Sequence, residues 1–299
     1  MIENPIPWPD GARCAVAFTF DMDAESLLHV NYRDSAPTRV ALSSMLRYGP
    51  EIAVPRILAL FKRHNLKQTF FIPGWCIETY PQTIERILKD GHEIGHHGYL
   101  HKRPNMQTAD EERQSLQRGI EAIVKATGKR PIGYRAPAYA FSQHTLGFLL
   151  EEGFAYDSSL FGDDIPYLVN DGNRDLVELP TDMSLDDWTQ YVCIGEFGYM
   201  LPIAAPQRAM GVFRAEFDAA WRHGGLWNAV WHPFVSGRLA RCDAIADLID
   251  HMMAKSGVWF AAMHEIAAHV RAVTADGRWT PRSDRLPYYA APLPQEIGV

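Results

Sequence analysis

The chain has 299 residues, 47% of them hydrophobic and 22% charged, and carries a formal net charge of -7. This supplies a large buried core and excludes a disordered or collagen-like chain. The acidic balance argues against a nucleic-acid partner or an anionic-membrane partner. The first residues, Met1 to Pro9, have neither a basic n-region nor an apolar h-region, and no apolar run approaches the ~18–20 residues of a membrane span. The four cysteines (Cys14, Cys76, Cys193, Cys242) are scattered without a CxxC pair, which fits reduced thiols and a cytoplasmic location.

In chain order, Cys14 to Phe20 reads as a buried strand running into Asp21-Met22-Asp23. Ile57 to Arg63 reads as a helix, and Gln68 to Ile72 as a second strand closed by Pro73-Gly74. Pro81 opens a helix with Ile84, Ile87 and Leu88 inward and Gly91 as its stop, and His92 to His96 is a short strand. Thr108 and Glu111 form a capping-box start for a helix that Gly128 ends. Ile132 to Tyr134 is a strand leading to Arg135-Ala136-Pro137. Ser142 caps a helix that stops at Gly153, Phe154 to Asp157 follows as a strand, and Leu176 to Leu179 is strand-like. Met210, Phe213, Phe217 and Trp221 mark one face of a helix ending near Gly224-Gly225. Leu226 to Trp231 is the strand that delivers His232; a helix over 243–255 and a strand over 258–261 finish the core. The Pro-rich, polar residues 276–299 read as a C-terminal extension to a single domain over 1–275, packed on the surface or in an oligomer interface.

Strands alternating with helices imply βα units, a parallel sheet and an α/β barrel or near-barrel, whose functional groups sit at the C-terminal ends of strands. Asp21, Asp23, His96, His97, Arg135, Asp157 and His232 all fall at such ends. Alternation points Asp21 and Asp23 the same way, and two adjacent carboxylates repel unless a cation lies near them. Taken alone, a DxD is more often a solvated loop pair. Four of the twelve histidines fall within GHEIGHHGYLH (Gly91–His101). Imidazole is a common metal ligand, and His97 with His101 would share one face of a helical turn, but His92 and His96 have the same spacing. Two carboxylates and two histidines give three ligands plus a base, leaving metal positions open as a catalytic site needs. His232 could protonate a leaving amine, Arg135 could orient Asp21, and Asp157 could fix His232, although each alone is as easily structural. The stretch Asp182 to Tyr191 (DMSLDDWTQY) is either a pocket lining or a packed loop, and Trp75, Trp188 and Arg47-Tyr48 are candidates for closing a pocket.

TFDMD (Thr19–Asp23), QTFFIPG (Gln68–Gly74), GHEIGHHGYLH (Gly91–His101), YRAP (Tyr134–Pro137) and WHP (Trp231–Pro233), in this order, resemble the polysaccharide deacetylase family with its NodB homology domain. The resemblance implies a distorted (β/α)7-type barrel and a divalent metal, commonly zinc. It places His97 and His101 on the family's H-[ST]-x-x-H, with Asp23 as third ligand, Asp21 as base, Arg135 as the orienting arginine, His232 as general acid and Asp157 carried over less directly. Met22 splits the family's adjacent Asp-Asp, Gly98 stands where Ser or Thr is usual, and a D-x-x-D-W segment is not obvious. The split pair, HEIGHHGYLH and Leu46–Arg56 are similar to a bacterial intracellular branch with peptidoglycan deacetylase-like proteins, cyclic imide hydrolases and metal-independent allantoinases. That resemblance implies a homotetramer. The expected activity is hydrolysis of a non-peptide amide, either an N-acetyl group on a sugar or a small cyclic imide or ureide. A catalytically silent carbohydrate-binding barrel is the competing reading.

Overall fold

The structure, a computed structural model, describes residues 1–289. Of the C-terminal extension expected over 276–299, residues 290–299 lie outside the described residues. The strands used below are β1 (Cys14–Asp21), β2 (Thr69–Ile72), β3 (Glu93–His96), β4 (Gly133–Tyr134), β5 (Tyr156–Asp157), β6 (Tyr167–Asn170), β7 (Asp175–Glu178), β8 (Cys193–Ile194), β9 (Tyr199–Met200), β10 (Leu226–Trp231), β11 (Val258–Phe260) and β12 (Ser283–Arg285). Taken in the order β10-β1-β2-β3-β4-β5-β7, each neighbouring pair is parallel. A bridge from Asp186 to Val230, with Asp187 N–H donating to Val230 O at 3.1 Å, ties the segment after β7 back to β10. The ring is drawn together at that seam without a full ladder, which makes this the distorted seven-stranded barrel the sequence anticipates. Strand β11 shares an edge of β1 with β2, pairing residues 14–16 while β2 pairs residues 19–21.

The helices that pack around these strands are α1 (Val54–Arg63), α2 (Pro81–Lys89), α3 (Ala109–Thr127), α4 (Thr145–Glu152), α5 (Pro206–His223), α6 (Leu239–Met253) and α7 (Met263–Ala275). Their ends follow the sequence chemistry. The Thr108 side chain accepts from Glu111 N–H while Glu111 accepts from Thr108 N–H, and Gly128 closes α3 with a φ of +72°. Helix α1 begins at Val54, earlier than expected, because a π-turn over Gly49–Ala53 runs directly into it. Helix α7, β6 and the β8–β9 hairpin were not anticipated. Strand β6 pairs antiparallel with β7, and β12 extends that edge.

All eight residues of β1 are buried, as expected of a strand covered on both faces. One face supplies Phe18 and Phe20, which meet Phe61 of α1 edge-on at 5.0 and 5.8 Å and approach Trp227 and Trp231 of β10. Each such side chain contributes roughly 1.5–3 kcal/mol by leaving water. The other face carries Thr19 and Asp21 into the barrel, where the polar groups gather. Among the described residues no helix is long and apolar enough to cross a membrane.

Candidate active site

Asp21 is the last residue of β1. Met22 then turns into the apolar core while its N–H is held by Phe71 O at 2.9 Å, so Asp23 returns to the same side as Asp21. Both carboxylates are buried. His97 follows β3 and His101 follows the next turn; their Nε2 atoms lie 3.4 and 3.5 Å from Asp23 Oδ1 and Oδ2. His97 Nε2 is also 3.7 Å from Asp21 Oδ2. His97 Nδ1 sits 2.7 Å from Arg135 O, which fixes its proton on Nδ1 and leaves the Nε2 lone pair facing the carboxylates.

The two histidines do not meet by helical spacing. A turn brings them together, with Gly98 at φ +69° and His101 at φ +55°. The left-handed angle accounts for glycine at 98: a Cβ there would be strained and would lie 3.1 Å from Pro137 Cγ. His92 and His96 have other partners. His96 Nδ1 accepts from Gly98 N–H and its Nε2 faces Leu116 O, while His92 Nδ1 accepts from Gln68 N–H. Burial pushes these two rings down to about 3 and about 4, so both are neutral packing groups.

Asp23, His97 and His101 offer ligand atoms that all lie within 4.8 Å of one another. Among the described residues, both carboxylate oxygens of Asp23 are buried without a hydrogen-bond partner. Orphaned carboxylate oxygens at that depth are costly unless a cation meets them, and one carboxylate with two imidazoles is the donor set of a small divalent metal. Burial alone would raise the Asp23 carboxyl, but His101, His97 and His232 around it hold it well below the usual carboxylate range. Burial lowers His101 to about 4, keeping it in the neutral form that binds metals. For His97 burial acts the same way, but Asp21 and Asp23 outweigh it and the value rises.

Arg135, just past β4 and fully buried, spans the barrel interior. Its Nη1 donates to Asp21 Oδ1 at 2.8 Å and Thr19 Oγ1 at 2.7 Å; Nε and Nη2 donate to Ser158 O and Oγ, both at 2.9 Å. The fork fixes the Asp21 oxygen it touches and leaves Oδ2 turned toward His97. On the other side, His232 from the end of β10 puts Nε2 3.6 Å from Asp23 Oδ2.

The partner of His232 corrects the sequence expectation. Asp157 does not fix this ring; its carboxylate accepts from Ser159 Oγ and Ser159 N–H. The ring is held by Asp187, whose Oδ1 lies 2.7 Å from Nδ1 and whose Oδ2 accepts from His232 N–H and Ser236 Oγ. The reason is topological: β7 stands between β5 and β10 in the ring, so the segment after β7 reaches His232 and the end of β5 does not. Burial would lower His232, but Asp187, Asp186 and Asp23 raise it to about 10. Asp186 is raised by burial to about 6 and accepts from Tyr139 Oη at 2.7 Å. Trp188 then packs edge-on against His232 at 5.1 Å. Asp186, Asp187 and Ser158 are site residues missed by sequence reasoning. The signal for the first two was Asp186-Asp187-Trp188 inside DMSLDDWTQY, soon after a strand.

The family model for polysaccharide deacetylases matches residues 38–156, a stretch that includes His97, His101 and Arg135. A peptidoglycan deacetylase from Helicobacter pylori is 32% identical over 246 residues, covering 74% of this chain and 84% of that protein. A crystal structure of a candidate polysaccharide deacetylase from Mycobacterium smegmatis superposes with a TM-score of 0.90 at 42% identity, covering 98% of this chain and 99% of the other. The Puue allantoinase structure shares the fold, with a TM-score of 0.79 at 24% identity over 93% of this chain and 96% of that one. With these relatives and this barrel, the chain belongs to the polysaccharide deacetylase family of amide-bond hydrolases.

Proposed function

We propose that the protein is a metal-dependent hydrolase of a non-peptide carbon–nitrogen bond, with Asp23, His97 and His101 holding a divalent cation, zinc by donor chemistry, and Asp21 as base. One observation carries this reading: among the described residues both carboxylate oxygens of buried Asp23 lack hydrogen bonds, and they face the Nε2 atoms of His97 and His101. A divalent cation bound there supplies Lewis acidity toward a carbonyl oxygen and toward water. Asp21, with one oxygen pinned by Arg135, takes the proton from the attacking water on Oδ2. His232, charged through Asp187, releases a proton from Nε2 to the departing nitrogen. The role of Arg135 is to fix Asp21 and that of Asp187 is to fix His232.

The substrate we propose first is an N-acetyl group on a sugar or oligosaccharide, a reading supported by the 32% identity to the Helicobacter pylori peptidoglycan deacetylase. A second reading is opening of a small cyclic imide or ureide; a small ring suits site residues set this deep, with Asp21, His97 and His232 3%, 1% and 7% exposed. Within the proposal, residues 1–275 are the catalytic domain and 276–299 an extension; β12 lying along β6 supports surface packing for its first part. A cytoplasmic homotetramer completes it.

Purified, metal-analysed protein should be assayed on N-acetylated chito-oligosaccharides beside succinimide and hydantoin. Acetate release supports the first reading and ring opening the second. No turnover on either set by metal-loaded protein would favour a silent binding barrel.

A further inference from the structure

Asp157, set aside as the partner of His232, lies opposite Glu178 in register at the ends of β5 and β7. Both are fully buried. Their carboxyl groups converge on one donor: Ser159 N–H lies 3.0 Å from Asp157 Oδ2 and 3.1 Å from Glu178 Oε1. Among the described residues, Glu178 Oε2 has no hydrogen-bond partner. The titratable groups facing the pair are Tyr134 from β4, Tyr156 from β5 and Tyr167 from β6. The nearby Arg135 guanidinium is committed to Asp21, Thr19 and Ser158, the tyrosines are neutral, and among the described residues no cation pairs with either carboxyl group. Two buried negative charges side by side are untenable, and one proton between them removes the conflict. Burial raises the carboxyls of Asp157 and Glu178 alike, in the same sense.

The position of the pair gives it a task. Ser159 Oγ donates to Asp157 Oδ1 at 2.7 Å and accepts from Ala136 N–H at 2.8 Å, and neighbouring Ser158 takes two donors of Arg135. We propose that Asp157 and Glu178 form a one-proton carboxyl–carboxylate pair that positions Arg135, and through it Asp21, by way of Ser158 and Ser159. The positioning half rests on the role proposed above for Asp21; the shared proton does not. The pair touches neither substrate nor metal ligand and acts only by holding the Ser158-Ser159 backbone under Arg135.

The test uses the full-length, metal-loaded protein. Infrared spectroscopy at pH 8, where Asp186 at about 6 is ionised, should show the C=O stretch of a protonated carboxylic acid. Labelling of aspartate or glutamate carboxyls with ¹³C should shift that band without any substitution. Glu178→Gln, which keeps a neutral hydrogen-bonding partner for Asp157, should lose the band and hold kcat within about threefold. Glu178→Ala, which leaves Asp157 a lone buried carboxylate, should lower kcat about tenfold or more with KM unchanged. Absence of the band in the unsubstituted protein overturns the shared proton, and so does its persistence in both Glu178→Gln and Asp157→Asn. Equal loss of kcat in the Gln and Ala variants overturns the positioning role. The infrared result stands whatever substrate the enzyme proves to use, so its failure is separable from failure of the proposed function.

Discussion

Replacing Asp187 by Asn changes few atoms and should cost much of the activity. The wild-type carboxylate only accepts: Oδ1 faces His232 Nδ1 at 2.7 Å, and Oδ2 takes both His232 N–H at 2.9 Å and Ser236 Oγ at 2.5 Å. Asparagine has one acceptor oxygen and one NH2 group. Its oxygen is best placed against the two donors, because a backbone N–H cannot rotate away. The NH2 group must then face His232 Nδ1, which becomes an acceptor, and the ring proton moves to Nε2 on a neutral imidazole. The imidazolium also loses its nearest counter-charge. His232 now has a folded value raised from 6.5 to about 10, so its charged form contributes stability in full below about pH 6.5, and that contribution is lost as pH rises through 10. In the variant the loss should begin at lower pH. Removing a general acid lowers rate by roughly 10²–10⁴-fold, and a broken charge-assisted hydrogen bond costs about 1.5–3 kcal/mol. The expectation for Asp187→Asn is therefore kcat down by about 10²-fold or more, KM little changed and metal content intact. An activated aryl ester analogue, whose phenolate leaving group departs without a proton, should lose far less. Steady-state kinetics on both substrate types with parallel metal analysis checks this. A loss of under about threefold, or an equal loss on both substrate types, would refute the assignment of His232 as an acid held by Asp187.

Arg135→Lys keeps the charge but loses the fork that spans Asp21, Thr19 and Ser158, and kcat should fall by about 10–100-fold at unchanged metal content. Gly119→Ala in α3 would ordinarily gain about 1 kcal/mol in a helix, but the new Cβ would stand 2.2 Å from His96 Nε2. Overpacking at about 1–3 kcal/mol wins, so the urea midpoint should drop. Thr108→Ala removes a solvent-exposed capping box that includes none of the proposed metal ligands, and should cost about 1 kcal/mol in the same assay while leaving turnover alone.

Much of the barrel was legible because its strands are short apolar runs ending in polar residues. β1, β2, β3 and β10 stand close to where the sequence puts them, and the capping signals at Thr108 and Gly128 bound α3 as read. The antiparallel β6 departs from the regular alternation of β and α units that implies parallel strands, although Asp171-Gly172-Asn173-Arg174 between it and β7 is a turn signal. The spacing of His97 and His101 was informative, but its geometry was not: a left-handed turn, and not a helix, joins them. Asp157 and Asp187 show the limit most clearly. Both are carboxylates near strand ends, and only the order of strands around the ring decides which one reaches His232. Sequence proximity carries no such information, because the seam between β7 and β10 is a tertiary contact.

The measurement closest to the centre of this reading is metal stoichiometry, by elemental analysis, of Asp23→Ala and Asp21→Asn beside the unsubstituted protein, with turnover measured on the same samples. Asp23 lies between His97 and His101, and Asp21 stands beside them with one oxygen held by Arg135. Asp23→Ala should therefore lose the metal, while Asp21→Asn should keep it and lose turnover. Metal retained in Asp23→Ala and lost in Asp21→Asn would contradict the division between ligand and base.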